Sequence, residues 1–218
     1  MWLSEDALSF NSNTLKLPVT VGKSHLEIKR TTIQSDCSAE QQSAITTANQ
    51  ECARLANAAA EAATSGNDKI FQQYFKDTSE STRSQVASVY RAVAAECEKT
   101  PGGSTTTYCS DPRGNCGDDW LLAYTYWQGS GSSQTGETYY CPRYFTDMSD
   151  ESQQCHQQSR ATNTLHEMTH AVAATNDAAY GIDDILGLSS NQAVNNADTY
   201  ALFATGENVR WKSLQRNL

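Results

Sequence analysis

The sequence HEMTH, residues 166–170, lies in a stretch of helical periodicity that runs through Ala174. Residues four apart lie one turn apart on the same face of an α-helix, so the His166 and His170 imidazoles can reach one metal ion. Glu167 is then placed to contact a water molecule in the open coordination position of that ion. The pentapeptide therefore predicts a catalytic zinc site, although two surface histidines flanking a salt-bridged glutamate would have the same sequence.

A catalytic zinc site needs a third protein ligand, and the residues after His170 limit its type. A metzincin has glycine three and histidine six residues after the second histidine, whereas Ala173 and Asn176 occupy these positions here. The glutamate that remains beyond the motif, Glu207, lies too close to the chain end for the gluzincin pattern. The remaining candidates are aspartates, namely Asp177, Asp183, Asp184 and Asp198.

Spacing alone leaves two of these aspartates open as the third ligand. Asp177 follows the predicted helix closely, so its carboxylate can turn back towards the metal from the next turn. Asp198 lies near the position where a gluzincin has its glutamate, but it also fits a helix N-cap before the apolar residues 200–203.

The composition limits the classes of partner. The chain has 25 Asp+Glu against 16 Lys+Arg, a net charge of -9, which argues against nucleic acid and is compatible with cationic partners. Its 38% apolar and 19% charged residues do not fit an acidic disordered tail. Apolar runs stay well short of the roughly 20 residues that a membrane-spanning helix needs. We expect a folded monomer without a nucleic-acid or membrane partner.

Three helices are predicted before residue 100. A capping box at Ser38 and Gln41 begins the first, and Ser65-Gly66 ends it. The second and third should cover about 68–76 and 80–98. Two aromatic and β-branched runs, 121–127 and 138–145, predict a small antiparallel sheet.

Seven cysteines without a CxxC pair predict a disulfide framework in a secreted protein. Cys52 and Cys97 each fall on the apolar face of a long predicted helix, where a bridge could join the two helices. His156 follows Cys155, and we expect it to make a structural hydrogen bond rather than to bind the metal.

Residues 1–30 differ from the rest of the chain. They hold no cysteine, alternate polar with apolar residues as a short strand pair would, and end at Lys29-Arg30. A dibasic pair before a cysteine-containing domain resembles the cleavage site of a secretory processing protease. We therefore expect 1–30 to be the C-terminal part of a propeptide, with a solvated pair in a loop as the alternative.

Three segments stand in a characteristic order: HEMTH at 166–170, TNDAAYG at 175–181 and NADTY at 196–200. This order resembles the fungal deuterolysin family of neutral zinc metalloendopeptidases, the aspzincins. The second signature of that family ends in DxxYG, which is intact here, although Ala174 replaces the glycine that usually opens it. The upstream elements that recur in the same order are Cys37, Tyr108-Cys109, Leu122-Ala123-Tyr124-Thr125, Cys141-Pro142 and Cys155-His156. The resemblance covers roughly residues 31–204.

The resemblance implies roles for the site residues. It implies one zinc ion per chain, held by His166, His170 and Asp177. Glu167 would be the general base and Tyr180 would face the oxyanion of the tetrahedral intermediate, as a phenol donor can. Asp198 would support the site or line the substrate pocket.

The resemblance also implies the fold and two disulfides. We expect an α+β, predominantly helical, zincin-like metalloprotease domain over 31–204, with a small antiparallel sheet and the bridges Cys37–Cys109 and Cys116–Cys141. Cys155 is then unpaired. The corresponding cysteine of the relatives bridges to the extreme C-terminus, but residues 205–218 lack cysteine, so we expect a divergent C-terminal tail.

These features predict a secreted, zinc-dependent endopeptidase acting on proteins or peptides. The resemblance implies a preference for basic substrates, which the acidic chain with its Asp183 and Asp184 would suit. Residues 124–127 could form the strand along which an extended substrate lies, or could be core. The alternative function is a secreted, non-catalytic zinc-binding effector or metal scavenger that retains the site, but such a protein would not need Glu167 or Tyr180.

Overall fold

The computed structural model describes residues 32–99, 103–117, 120–152 and 154–215. The helices in these ranges are α1 (Ala39–Ser65), α2 (Asp68–Phe75), α3 (Glu80–Glu98), α4 (Pro142–Thr146), α5 (Arg160–Ala173), α6 (Gly181–Ile185), α7 (Ser190–Ala193) and α8 (Ala197–Gln215). The strands are β1 (Thr32–Ile33), β2 (Thr105–Tyr108), β3 (Ala123–Gln128) and β4 (Thr135–Tyr140). The strand pair and the dibasic site predicted for 1–30 lie outside the described residues.

The long helix α1 begins and ends where the sequence predicts. The Gln41 amide donates to Ser38 Oγ at 3.3 Å, and the Ser38 amide donates to Gln41 Oε1 at 2.8 Å, which completes the capping box. At the other end, a Cβ on Gly66 would collide with the Ala62 carbonyl oxygen. Helices α2 and α3 also match their predicted ranges to within a residue or two.

Aromatic side chains of α2, α3 and α8 form the centre of the helical layer. The rings of Phe71, Phe75, Tyr90, Tyr200 and Phe203 pack with centroids 4.9 to 6.0 Å apart, mostly edge to face. The buried Tyr90 hydroxyl donates to the Tyr200 carbonyl oxygen at 2.8 Å, so its polar atom is satisfied. This core holds α8 against the N-terminal helices.

Three disulfides connect the described residues. Cys52–Cys97 joins α1 to α3, as the helix periodicity predicts, and Cys37–Cys109 and Cys116–Cys141 match the pairs that the resemblance implies. Cys155 is unpaired and exposed. No helix in the described ranges combines the length and apolar character that crossing a bilayer requires.

The sheet differs from the prediction in extent and direction. Strands β3 and β4 form the predicted antiparallel pair, but the second predicted run, 138–145, leaves the sheet after Tyr140 and continues into α4. The sheet has four strands in the order β1-β2-β4-β3, and β1, β2 and β4 run parallel. The sheet is therefore mixed rather than purely antiparallel. Parallel neighbours require a long connection, and β2 reaches β4 only after the chain has passed through β3. Local runs of residues predict a hairpin but carry no signal for such a distant pairing.

The sheet lies close against α5, the helix that contains HEMTH. A Cβ on Gly136 of β4 would lie 2.7 Å from the Ala171 Cβ of α5, so only glycine allows this approach. Gln134, just before β4, donates from Nε2 to the carbonyl oxygens of His170 and Ala171 at 3.2 and 2.7 Å. The end of β4 is thereby anchored at the C-terminal turn of α5.

We expect Gly136→Ala to destabilise the protein by about 1–3 kcal/mol, because the added methyl group overpacks the contact between β4 and α5. Urea unfolding followed by circular dichroism would measure the loss. Gly117→Ala is the matched control, since a Cβ there meets nothing within 4 Å. Equal unfolding midpoints for the two variants would contradict the close approach of sheet and helix.

Candidate metal centre

Helix α5 brings the two motif histidines together in the interior. It begins with a capping box, in which the Ser159 amide donates to Thr162 Oγ1 at 2.8 Å, and it ends before Ala174 in the left-handed conformation at φ 52°. The Nε2 atoms of His166 and His170 lie 3.2 Å apart, and both side chains are buried. Both rings therefore point to one place, as the spacing of four predicts.

The turn after α5 returns Asp177 to the same place. Its Oδ1 lies 3.0 Å from His166 Nε2 and 3.3 Å from His170 Nε2. Among the described residues, this is the group of histidine, cysteine and acidic side chains that could hold one ion. Two imidazole nitrogens and a carboxylate oxygen are typical zinc donors, and a set of three leaves a fourth position for a water or substrate. The donor set therefore fits a catalytic zinc ion.

The other aspartates do not enter this group. Asp183 and Asp184 lie exposed on α6. Asp198 is fully buried in the first turn of α8, where its Oδ1 lies 3.5 Å from His166 Nδ1 and its Oδ2 accepts the Gly181 amide at 2.6 Å. A carboxylate at Nδ1 orients the ring and favours the tautomer whose Nε2 is free to bind a metal.

The ring of His170 is oriented in the same way by other groups. Its Nδ1 lies 2.8 Å from the Thr175 carbonyl oxygen, which can only accept, so Nδ1 carries the proton and Nε2 keeps its lone pair. The Trp127 ring lies parallel to the imidazole, with interplanar angle 6° and centroids 5.8 Å apart. Strand β3 thus forms one wall of the site.

The site favours positive charge. Burial alone would lower the pKa of His166, but the hydrogen-bonding carboxylates of Asp177 and Asp198 outweigh it and raise the pKa to about 10. For Asp177, burial acts to raise the pKa, but contact with the two imidazoles holds it well below its usual range. Both shifts have the same cause, the attraction between carboxylates and a positive charge, which also favours a bound cation.

Glu167 and Tyr180 flank the ligand group. Glu167 is 3% exposed, and its Oε2 accepts a hydrogen bond from Thr125 Oγ1 of β3 at 2.8 Å. The Tyr180 ring lies nearly parallel to His166 with centroids 6.0 Å apart and is 45% exposed. Burial and the neighbouring Asp177 charge raise its pKa, so the phenol keeps its proton. One side chain can thus accept a proton and the other can donate a hydrogen bond.

A cleft of about 470 Å³ leads to these groups. One wall is β3 with the residues before it, and the other is α5 with the turn after it. Exposed Trp120 stands at the rim, edge-on to Tyr180 with centroids 6.3 Å apart. The cleft therefore connects the motif with the protein surface.

The segment before α8 holds the turn that carries Asp177 and Tyr180. The buried Asn196 accepts from the Ala178 and Ala179 amides at 2.8 and 3.0 Å, and it donates to the Ala179 carbonyl at 3.1 Å. The Ala197 amide also donates to the Asn176 carbonyl oxygen at 3.0 Å. The NADTY segment therefore acts as a clamp on the turn as well as supplying Asp198.

Some supporting residues received no role from the sequence. Thr125, Thr175 and Asn196 all lie within the quoted motifs, but their partners come from other elements, and spacing contains no information about those partners. Only Thr125 had a local signal, as a polar residue within the aromatic run 124–127. His156 behaves as predicted, with its Nε2 2.6 Å from the Tyr74 hydroxyl and away from the ligand group.

Comparison with known proteins places this arrangement among metalloproteases. The model of the deuterolysin metalloprotease (M35) family matches residues 4–212, which extends beyond both ends of 31–204. A neutral protease 2 homologue of Aspergillus flavus is 42% identical over 90% of this chain and 70% of its own length. Neutral protease 2 of Aspergillus oryzae and a homologue of Sclerotinia sclerotiorum are each 42% identical, but the chain spans only 57% of their length.

A solved structure shares the fold. The zinc peptidase from Grifola frondosa aligns with a TM-score of 0.60 over 79% of this chain and 97% of its own, at 22% identity. That identity is low, so this likeness concerns the fold alone. It agrees with the α+β, predominantly helical and disulfide-stabilised domain that the described residues form.

We expect Asp177→Asn and Asp198→Asn to differ in zinc affinity. Losing the Asp198 carboxylate should weaken zinc binding by about 10- to 100-fold, as for other partners of metal-bound histidines, and losing a direct ligand should weaken it more. Competition with a chromophoric chelator would measure the zinc affinity of both variants, with the exposed Asp184→Asn as control. If Asp198→Asn lost more affinity than Asp177→Asn, Asp198 would be the third ligand instead.

Proposed function

The chain belongs to the deuterolysin metalloprotease family, and we propose on that basis that it is a secreted, zinc-dependent endopeptidase that cleaves peptide bonds in proteins. The observation that supports this function most directly is the convergence of His166, His170 and Asp177 within hydrogen-bonding distance of one another. Glu167 and Tyr180 beside them are the groups that hydrolysis requires and that metal storage does not. We propose one zinc ion per monomeric chain.

The proposed reaction uses the protein groups as follows. His166, His170 and Asp177 would hold the ion, which when bound would lower the pKa of a water molecule and polarise the scissile carbonyl. Glu167 takes the proton as the water oxygen bonds to the carbonyl carbon. The Tyr180 phenol donates to the oxygen on which negative charge develops. Glu167 then delivers the proton to the amine nitrogen as the C–N bond breaks.

Strand β3 offers a place for the substrate backbone. The sheet order puts β3 at an edge, with β4 on one side and its other edge unpaired within the described sheet. This strand also forms one wall of the cleft beside Glu167. We propose that an extended substrate lies along residues 124–127, because an edge strand can pair with an incoming peptide.

A preference for basic substrates is part of the proposal. The cleft contains Glu167 and Asp177, with buried Asp198 behind His166 and exposed Asp183 and Asp184 on the following helix. A bound zinc ion would neutralise part of this charge, and the outer carboxylates would remain to attract cationic side chains. Electrostatic attraction of this kind is weakened by salt.

We expect Glu167→Gln to lower turnover by about 10²- to 10⁴-fold, because the amide cannot accept the proton of the water. Zinc content should stay at the wild-type level, since Glu167 is not among the proposed ligands. Hydrolysis of casein and of a basic protein, with zinc measured by atomic absorption, would test both statements. The exposed Glu61→Gln of α1 is the matched control.

The outcomes separate the two functions. A Glu167→Gln variant that cleaves like the wild type would overturn the proposed mechanism. Wild-type protein that binds zinc and cleaves neither substrate would favour the non-catalytic effector or scavenger. Equal rates on matched basic and acidic peptides at low salt would remove the proposed substrate preference.

We also propose that residues 1–30 are the end of a propeptide removed after Lys29-Arg30, and that 205–218 is a divergent C-terminal tail. Protein cleaved after Arg30 should then be more active than the uncleaved chain. Replacing Lys29 and Arg30 by alanine should block both cleavage and activation by a dibasic processing protease. Equal activity before and after cleavage would refute the propeptide.

A further inference from the structure

The carboxylate of Glu167 is held by a residue on the sheet rather than on its own helix. Thr125 of β3 donates from Oγ1 to Glu167 Oε2 at 2.8 Å. Thr125 is half-buried, whereas Glu167 is almost fully buried, so water competes little for this bond. Hydrogen bonds to charged groups are stronger than bonds between neutral groups. Thr125 therefore determines where one of the two carboxylate oxygens lies.

A second threonine orients the first. Thr138 Oγ1 of β4 lies 2.9 Å from Thr125 Oγ1, and the Thr138 side chain is completely buried. A hydroxyl has one proton to donate, and Thr125 donates its proton to Glu167 Oε2. Thr138 must then donate to Thr125. The three side chains form a chain of hydrogen bonds with one direction, from Thr138 through Thr125 to Glu167.

The sheet keeps this chain rigid. Thr125 and Thr138 are directly paired in the antiparallel ladder of β3 and β4, so their side chains stand on the same face. Gly136, two residues from Thr138 on the same face, lies directly against Ala171 of α5. The position of Thr125 relative to α5 is thus determined by backbone pairing rather than by a flexible side chain.

The two carboxylate oxygens of Glu167 therefore have different surroundings. Oε2 is engaged by Thr125, whereas the carboxylate also lines the cleft, where Oε1 is left to meet water or substrate. Without the threonine hydroxyl, the carboxylate could rotate about its last side-chain bond, since such torsions are broad. General-base catalysis requires the accepting oxygen within hydrogen-bonding reach of the proton.

We propose that Thr125, supported by Thr138, is a positioning residue that holds the general base Glu167 in the orientation needed to accept the proton. This inference rests on the proposed function, because it assigns Thr125 a role in the same reaction. Thr125 acts through Glu167, so its loss should lower kcat and leave KM nearly unchanged. Loss of the Thr138 hydroxyl should lower kcat by a smaller factor, because Thr138 acts through Thr125.

The test uses the full chain with zinc bound. We expect Thr125→Val, which keeps the shape and removes the hydroxyl, to lower kcat about 10- to 100-fold, the usual scale for a hydrogen bond to a charged group. Thr125→Ser should restore kcat to near the wild-type value. Thr138→Val should lower kcat about 2- to 10-fold, as for a bond between neutral groups.

The matched control is Thr107→Val on β2. Thr107 is buried and paired with Thr138 in the parallel ladder, but it lies one strand further from Glu167. Loss of its hydroxyl should leave kcat unchanged. Thermal unfolding and zinc content of every variant would identify a merely structural effect, which would lower the folded or zinc-bound fraction rather than kcat per zinc-bound molecule.

The outcomes distinguish this inference from the function on which it rests. Wild-type protein that binds zinc but has no activity would overturn the proposed function and the inference with it. Active wild-type protein with unchanged kcat in Thr125→Val would overturn the inference alone. A rise in KM at constant kcat, or a Thr125→Ser variant as slow as Thr125→Val, would also count against positioning.

Discussion

A helix that carries two histidines and a glutamate into the interior is stable only if their polar atoms find partners. Burying such groups without hydrogen bonds costs several kcal/mol in total, at about 1–3 kcal/mol for each unsatisfied group. In α5, Glu167 accepts from Thr125 of β3, and His170 Nδ1 donates to the Thr175 carbonyl of the following turn. His166 Nδ1 instead has an ion-pair contact at 3.5 Å with the Asp198 carboxylate of α8. The sheet, the turn after α5 and α8 therefore each place a polar group beside a buried side chain of this helix.

The same contacts organise the chemistry. Thr175 and Asp198 bind the Nδ1 sides of His170 and His166, so both Nε2 atoms face Asp177. The groups that stabilise the buried side chains thus also orient the Nε2 donor atoms towards one point. A metal bound there would in turn compensate the carboxylates that gather around His166. Stability and metal affinity are linked through one set of polar contacts.

Packing away from the site determines how well these partners are held. The aromatic cluster that includes Tyr90, Tyr200 and Phe203 anchors α8, and with it Asn196 and Asp198 at its N-terminal end. Gly136 allows the sheet to approach α5, and this approach places Thr125 beside Glu167. Residues remote from the cleft therefore influence the geometry of the ligands through rigid elements. The free Cys155 takes no part in this framework.

Much of the fold could be predicted from local sequence patterns. Four features depend on residues close in sequence, and the structure agrees with each of them. They are the capping box at Ser38, the glycine after Ser65, the helical spacing of His166 and His170, and the helix faces that carry Cys52 and Cys97. The parallel strands and the hydrogen-bond partners of the site do not follow from such patterns. Thr125 and Glu167, or Asn196 and the turn after α5, are distant in sequence, and their pairing depends on how the sheet and α8 pack. Likewise, spacing left Asp177 and Asp198 both open. Only the folded chain puts one carboxylate at the Nε2 side of His166 and the other at its Nδ1 side, because that choice is made by the packing of α8 against α5.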